Sequence, residues 1–256
     1  MNFGRQVNVK TKEEIQTMRA SGRINAEVLA TVKNLIQPGV STADLNAAAE
    51  EVLKKHGCYS PFKGYSKPPY PASICTSVNE EMVHGIPSKK RILREGDIVS
   101  VDSGAVFQGF VSDAAFTAGV GEISEEAKRL LEITENALYA AIDKMRVGNR
   151  TGDISAAIQD YVESRGLHVT REYTSHGVGR QMHEGPMVPN YGTAGTGLPL
   201  RPGMTIAIEP MVLIGTHETR VLRDQWTVIS ADKSLTAHFE HSVAVTEGEP
   251  LILTVP

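Results

Sequence analysis

Gly39-Val40-Ser41-Thr42-Ala43-Asp44-Leu45-Asn46-Ala47-Ala48 recurs as Gly148-Asn149-Arg150-Thr151-Gly152-Asp153-Ile154-Ser155-Ala156-Ala157, at a constant offset of 109 residues. Gly57 and Gly166 keep that offset. Arg94-Glu95-Gly96-Asp97-Ile98-Val99-Ser100-Val101-Asp102 pairs in the same way with Arg201-Pro202-Gly203-Met204-Thr205-Ile206-Ala207-Ile208-Glu209, at an offset of 107. The period is far longer than the roughly 20–50 residues of a solenoid, so an internal duplication predicts two similar α+β halves about a pseudo-two-fold axis. It also sets Asp102 and Glu209 at equivalent strand ends. Halves folded face to face would bring both carboxylates to one cleft.

The segments around the repeat fit that plan. Thr11-Lys12-Glu13-Glu14 has the pattern of a capping box, and Ile15, Met18, Gly22, Asn25/Ala26, Leu29, Val32 and Ile36 follow at helical period up to Pro38-Gly39. Ser41 to His56 reads as a second helix with Gly57 at its end, and Ser60 to Pro71 as loop. Ser124 opens a third helix that the apolar period carries through Met145 to Gly148, and Thr151 a fourth, ending at Gly166. We therefore expect one domain over 1–256, with halves of about 7–120 and 121–256, each packing helices on an antiparallel sheet.

Composition narrows the partners. With 41% hydrophobic and 22% charged residues and a net charge of -4, the 256-residue chain offers no electrostatic reason to bind nucleic acid or an anionic membrane. Two cysteines, Cys58 and Cys75, make neither a disulfide framework nor a CxxC zinc module, which favours a reducing compartment. Met1 to Gln6 lacks the apolar stretch of a signal peptide and no run of about 18 apolar residues occurs, so a cytoplasmic protein is expected.

Chemistry enters through acids in apolar strands. Asp102 ends one strand and Asp113 lies in the next, Phe110 to Thr117, with Gln108-Gly109 as the turn. In a hairpin with a two-residue loop, opposed positions sum to an odd number, which puts both carboxylates on one face. Like charges that close favour a bound cation, and with a histidine added the donor set suits a divalent metal. Thr174 to Pro186 holds His176 and His183 seven residues apart, among glycines that let backbone approach a ligand closely. Glu209 ends one apolar strand and Glu240 sits just inside another.

Five motifs in order resemble the type I methionine aminopeptidases, within the wider pita-bread metallopeptidases that also include prolidases and creatinase. They are Val78-Asn79-Glu80-Glu81-Met82-Val83-His84-Gly85-Ile86-Pro87, Gly96 to Asp102, His176-Gly177-Val178-Gly179, Ile208-Glu209-Pro210-Met211 and Phe239-Glu240-His241, and similarity runs from about Val7 to Thr254. The resemblance implies the pita-bread fold and two divalent ions (Co, Mn, Fe, Zn or Ni). Asp102 would chelate one, Asp113 and Glu240 would bridge both, and His176 and Glu209 would complete the other, with Glu209 also the general base. It implies that His84 and His183 are catalytic, contacting the substrate amine and carbonyl and assisting proton transfer, and that Tyr65, Tyr70, Cys75 and Trp226 line a methionine pocket.

Two departures from the family pattern bear on that pocket. The loop from Gly64 to Pro71 is about two residues longer than usual, and Met182 stands where an aromatic residue is common. Met182 is flexible and apolar and could itself line the site. The implied activity is removal of N-terminal methionine from peptides and nascent chains by a monomer, at the ribosome, without nucleic acid or membrane. Its rivals are an Xaa-Pro aminopeptidase or dipeptidase of the same fold and a silent binding homologue. His56, His168 and His217 read as surface or capping residues, Cys58 as structural and Cys75 as a small lining residue rather than a nucleophile.

Overall fold

The computed structural model describes residues 6–256, so the expectation drawn from Met1 to Gln6 lies outside the described residues except for Gln6. Four helices are present among them: α1 Lys12–Leu35, α2 Thr42–Lys55, α3 Glu125–Ile142 and α4 Thr151–Glu163. The strands are β1 Ile74–Val78, β2 Glu81–Val83, β3 Ile98–Phe107, β4 Phe110–Gly119, β5 His168–Val169, β6 Thr174–Gly177, β7 Glu184–Pro189, β8 Thr205–Ile208, β9 Met211–Leu213, β10 Thr219–Val221, β11 Val228–Ser230, β12 Thr236–His238, β13 Glu240–Ala244 and β14 Leu251–Ile252.

The main sheet runs β1-β3-β4-β13-β8-β6-β7, with β14 beside β13. Across the β4/β13 junction the order is mirrored: β1-β3-β4 on one side answers β6-β8-β13 on the other. The duplication is visible in local bonds too. Asp44 and Asp153 each accept the N–H of the residue three before, Ser41 at 3.0 Å and Arg150 at 2.7 Å. Ser41 bridges Ile92 and Arg150 bridges Pro199. Each half keeps its own core, Val28, Leu45 and Val101 under α1 and α2, and Leu130, Ile158 and Ile206 under α3 and α4.

Thr11 and Glu14 close the expected capping box on α1. The helix buries small polar residues against the first hairpin because backbone there needs partners: Asn25 Nδ2 donates to Ser103 O at 2.5 Å, and Ser21 Oγ to Ala105 O at 2.9 Å. Gly22 lets the C-terminal segment cross the helix, since a Cβ there would lie 2.0 Å from Leu253 O. The Gln108-Gly109 turn forms with φ of 49° and 78°, as a type I′ turn requires.

Two helix ends differ from the sequence expectation. α3 stops at Ile142 and α4 at Glu163. After Ile142 the N–H groups of Lys144 and Met145 reach back only three residues, to Ala141 and Ile142, so the chain tightens out of the α-helix while Met145 stays buried. The apolar period thus continued beyond the helix.

Candidate active site

Register carries the acids to one place. Asp102 pairs with Ala115 and Gly104 with Asp113, so Asp102 and Asp113 share a face. Ala115 also pairs with Glu240 across the junction, and the His241–Ile208 pair leaves Glu240 beside Glu209. His176 pairs with Ala207, two residues before Glu209. Cys75 joins the same face as the partner of Asp102 on β1. The pseudo-two-fold junction therefore gathers Asp102, Asp113, His176, Glu209 and Glu240 on the wall of one cavity of about 280 Å³.

The cluster is short of partners. Among the described residues, Asp102 Oδ1, Asp113 Oδ1, Glu240 Oε1 and His238 Nε2 are buried without a hydrogen bond. His176 Nε2 lies 3.4 Å from Glu209 Oε1 and 4.0 Å from Asp113 Oδ2. Its Nδ1 is 3.0 Å from Gly177 O and donates there, which leaves the Nε2 lone pair facing the carboxylates. Burial pushes Asp102 up to about 7. Burial, then the charges of neighbouring acids, pushes Asp113, Glu209 and Glu240 well above the carboxylate range. Four acids at this spacing cannot all ionise unless a cation neutralises them.

The remaining predicted residues surround the same cavity. His84 follows β2 in the left-handed region at φ 61°, a backbone state that costs about 1–2 kcal/mol for a non-glycine residue, and its ring meets Tyr173 and Trp226 edge-on at 5.9 and 6.1 Å. His183 Nδ1 lies 2.7 Å from the Tyr65 hydroxyl, and its ring centroid 4.3 Å from that of His176. Burial lowers His84 and His176 to about 4 and holds His183 well below the imidazole range. Tyr70 donates to Gly85 O at 2.8 Å and packs edge-on against Trp226 at 5.0 Å. Cys75 and Met182 are buried in the wall, and burial, then the Asp102 charge, keeps Cys75 a thiol. His56, His168 and His217 do not line the cavity.

The glycines of the His176–His183 segment admit close neighbours from the chain itself. A Cβ on Gly177 would lie 2.1 Å from Gly185 O, and one on Gly179 would lie 2.3 Å from Lys10 Cε. At these two glycines the chain's own backbone and Lys10 approach closely. The sequence reading also passed over Tyr173, Phe62 and His238, which line the cavity. His238 stands two residues before Glu240, and the same parity that paired Asp102 with Asp113 would have found it.

A family model for the metallopeptidases, described as "Metallopeptidase family M24", matches residues 16–247. The chain belongs to metallopeptidase family M24. Within the family it falls with the methionine aminopeptidases: that of Clostridium acetobutylicum is 49% identical over 96% of this chain and 98% of its own length. The crystal structure of the methionine aminopeptidase of Thermotoga maritima superposes with a TM-score of 0.96 at 47% identity, covering 98% of this chain and all of that one. The prolidase of Pyrococcus furiosus, at 23% identity and TM-score 0.79 over 97% of this chain and 65% of its own, shares the pita-bread fold.

Family M24 enzymes use divalent metal, and the residues present fit it. Asp113, His176 and Glu240 form one group whose donor atoms all lie within 4.8 Å of one another, and Glu209, His238 and Glu240 form a second. Carboxylate oxygen with imidazole nitrogen suits first-row divalent ions, and the orphaned oxygens need such a partner. Because Asp102 sits at about 7 and the other acids above their ordinary range, binding displaces protons at neutral pH. Titration calorimetry of metal-stripped protein with Co(II) in two buffers of different ionisation enthalpy should show net proton release at pH 7 and weaker binding as pH falls. Equal heats in both buffers would contradict it.

Proposed function

We propose that this chain is a metal-dependent methionyl aminopeptidase that removes N-terminal methionine from peptides and nascent chains, preferably when the second residue is small. The observation that carries the reading is the buried cluster of Asp102, Asp113, His176, Glu209 and Glu240 set directly beside a cavity walled by Phe62, Tyr65, Tyr70, Cys75, Met182 and Trp226. In this reading two divalent ions would be held, one by Asp102, the other by His176 and Glu209, and Asp113 and Glu240 would serve both. Bound there, such ions activate water near neutral pH and polarise the scissile carbonyl.

The protein's own groups do the rest. Glu209, whose side chain is 13% exposed against 2% for Glu240 and 6% for Asp113, is more reachable than either and takes the proton of the attacking water. His84 and His183 are neutral because burial lowers both, so each offers one N–H donor and one lone pair. That suits them to hold the substrate carbonyl and to pass a proton to the leaving amine. The Tyr65 hydroxyl fixes the His183 ring for this task. The acid cluster receives the free α-amine, which an internal peptide bond cannot supply.

The apolar wall selects the side chain. An unbranched thioether fills an irregular aromatic pocket, and each sulfur–aromatic contact contributes about 0.3–1.5 kcal/mol. One misplaced methyl or methylene in such a pocket changes rates about 10–200-fold. In the same proposal the two halves work as one catalytic domain over 1–256, a cytoplasmic monomer acting on chains at the ribosome.

A peptide panel tests the assignment. Met-Ala-Ser should release methionine, Met-Leu-Ser should be at least about tenfold slower because the bulky second residue crowds the cleft, and Lys-Ala-Ser and Ala-Pro-Ser should be inert. Equal rates for Met-Ala-Ser and Met-Leu-Ser would remove the second-residue rule. Cleavage of Xaa-Pro peptides without methionine release would transfer the chain to the prolidase-like activity.

A further inference from the structure

His238 has no part in the five-residue cluster, yet it is aimed into it. Its side chain is 2% exposed, and Nε2 lies 3.6 Å from Glu209 Oε2 and 3.6 Å from Glu240 Oε2, with no hydrogen-bond partner among the described residues. Its neighbours Ala237 and Phe239 turn the other way, into the core beneath α3. The backbone is pinned on both sides: His238 N donates to Thr117 Oγ1 at 2.9 Å, and Thr117 Oγ1 donates back to His238 O at 2.8 Å. His238 also pairs with Met211 of β9, so the imidazole is delivered to the cavity by register rather than by a loose loop.

The spacing decides what the ring is for. A hydrogen bond would draw nitrogen and oxygen to about 2.7–3.0 Å. Two donors that share an ion at about 2.1 Å each stand about 3.0–3.6 Å apart for donor–ion–donor angles of about 90–120°, so contacts of 3.6 Å reach the wide end of that range and are too long for a hydrogen bond. The His176–Glu209 contact at 3.4 Å has the same character. Glu209, His238 and Glu240 put one donor atom each within 4.8 Å of the other two, as Asp113, His176 and Glu240 do, and Glu240 belongs to both groups.

We infer that His238 ligates, through Nε2, the divalent ion shared by Glu209 and Glu240, so that the centre carries two imidazoles, His176 and His238. The inference rests on the metal-dependent reading above and adds a residue to it. A second nitrogen donor shifts the preference of the centre toward Co(II), Ni(II) and Zn(II) and away from Mn(II), since imidazole suits the former and all-oxygen sets the latter.

The test is made on Co(II)-reconstituted protein by proton NMR, comparing wild type, His238→Gln and His176→Gln. Two strongly hyperfine-shifted, solvent-exchangeable imidazole N–H signals are expected in the wild type, each variant losing a different one. Co(II) affinity of His238→Gln should fall about tenfold or more, with Mn(II) affinity changed less. A single such signal in the wild type, lost only in His176→Gln, overturns the inference and makes His238 a positioning residue. Because the wild-type count decides by itself, the test survives a variant that fails to fold. Failure of the wild type to bind Co(II) at all would instead remove the metal-dependent reading on which the inference stands.

Discussion

Glu209→Gln should lower kcat on Met-Ala-Ser by about 10³-fold or more while leaving the metal-free protein folded and more stable than the wild type at pH 7. General-base loss alone is worth about 10²–10⁴-fold, and the amide is also a poorer metal donor. The gain in stability has a separate origin. Burial, then the Asp102 charge, raises the Glu209 pKa in the folded state. A carboxyl with a raised folded pKa contributes stability that is fully present below its unfolded pKa, about 4.3, and is lost as pH rises through the folded value. Glutamine never ionises, so its advantage should appear at pH 7 and shrink at pH 4.5 in thermal unfolding. Saturating Co(II) should reverse the order, because the wild type gains more from the ion. A variant within tenfold of wild-type kcat would remove Glu209 from the chemistry.

Lys10→Ala should cost about 3–5 kcal/mol of stability in urea unfolding at pH 7, among the largest effects available to a single residue outside the acid cluster. Lys10 Nζ lies 2.6 Å from Glu184 Oε2, with the two side chains 4% and 3% exposed, and also donates to Asn8 O at 2.9 Å. Glu184 Oε1 accepts the N–H of Arg180 at 2.8 Å and of Gln181 at 3.1 Å. The pair therefore ties the N-terminal strap to the loop that carries Met182 and His183, while Lys10 N donates to Gly203 O at 2.8 Å. Removing the ammonium strands a buried carboxylate.

The pH dependence of that pair runs opposite to that of Glu209. Burial alone would raise the Glu184 pKa, but the bond and charge of Lys10 hold it below the ordinary range. Its contribution is present above the unfolded value of about 4.3 and lost as pH falls through the lower folded one, so the cost of Lys10→Ala should shrink in acid. Lys10→Met combined with Glu184→Gln should recover much of the loss, since neither side chain then carries an unpaired charge. A cost below about 1 kcal/mol for Lys10→Ala would show the pair to be dispensable.

What the sequence revealed, and what it hid, follows the range of the interactions. The repeated Asp44 and Asp153 motifs act within three residues of themselves, so the halves and their helix starts could be read directly. The Asp102–Asp113 relation needed only a two-residue turn and the alternation of a hairpin. The α3 end was not legible, because Met145 continues the apolar period after the backbone has already left the helix. Lys10 and Glu184 are separated by 174 residues, and nothing local marks either as buried. His238 was legible but passed over: side chains two apart on an extended chain share a face, and although β12 ends at His238 and β13 begins at Glu240, both side chains reach the cavity.

The most direct measurement is to strip the protein of metal, titrate Co(II) back, and follow methionine released from Met-Ala-Ser, with Asp113→Asn beside the wild type. The wild type should be inactive when stripped and recover as Co(II) occupies the cluster, while Asp113→Asn stays inactive at the same Co(II) concentrations despite an intact fold. Full release by the stripped wild type, or recovery of Asp113→Asn to the wild-type rate, would contradict a metal-dependent centre built on these carboxylates.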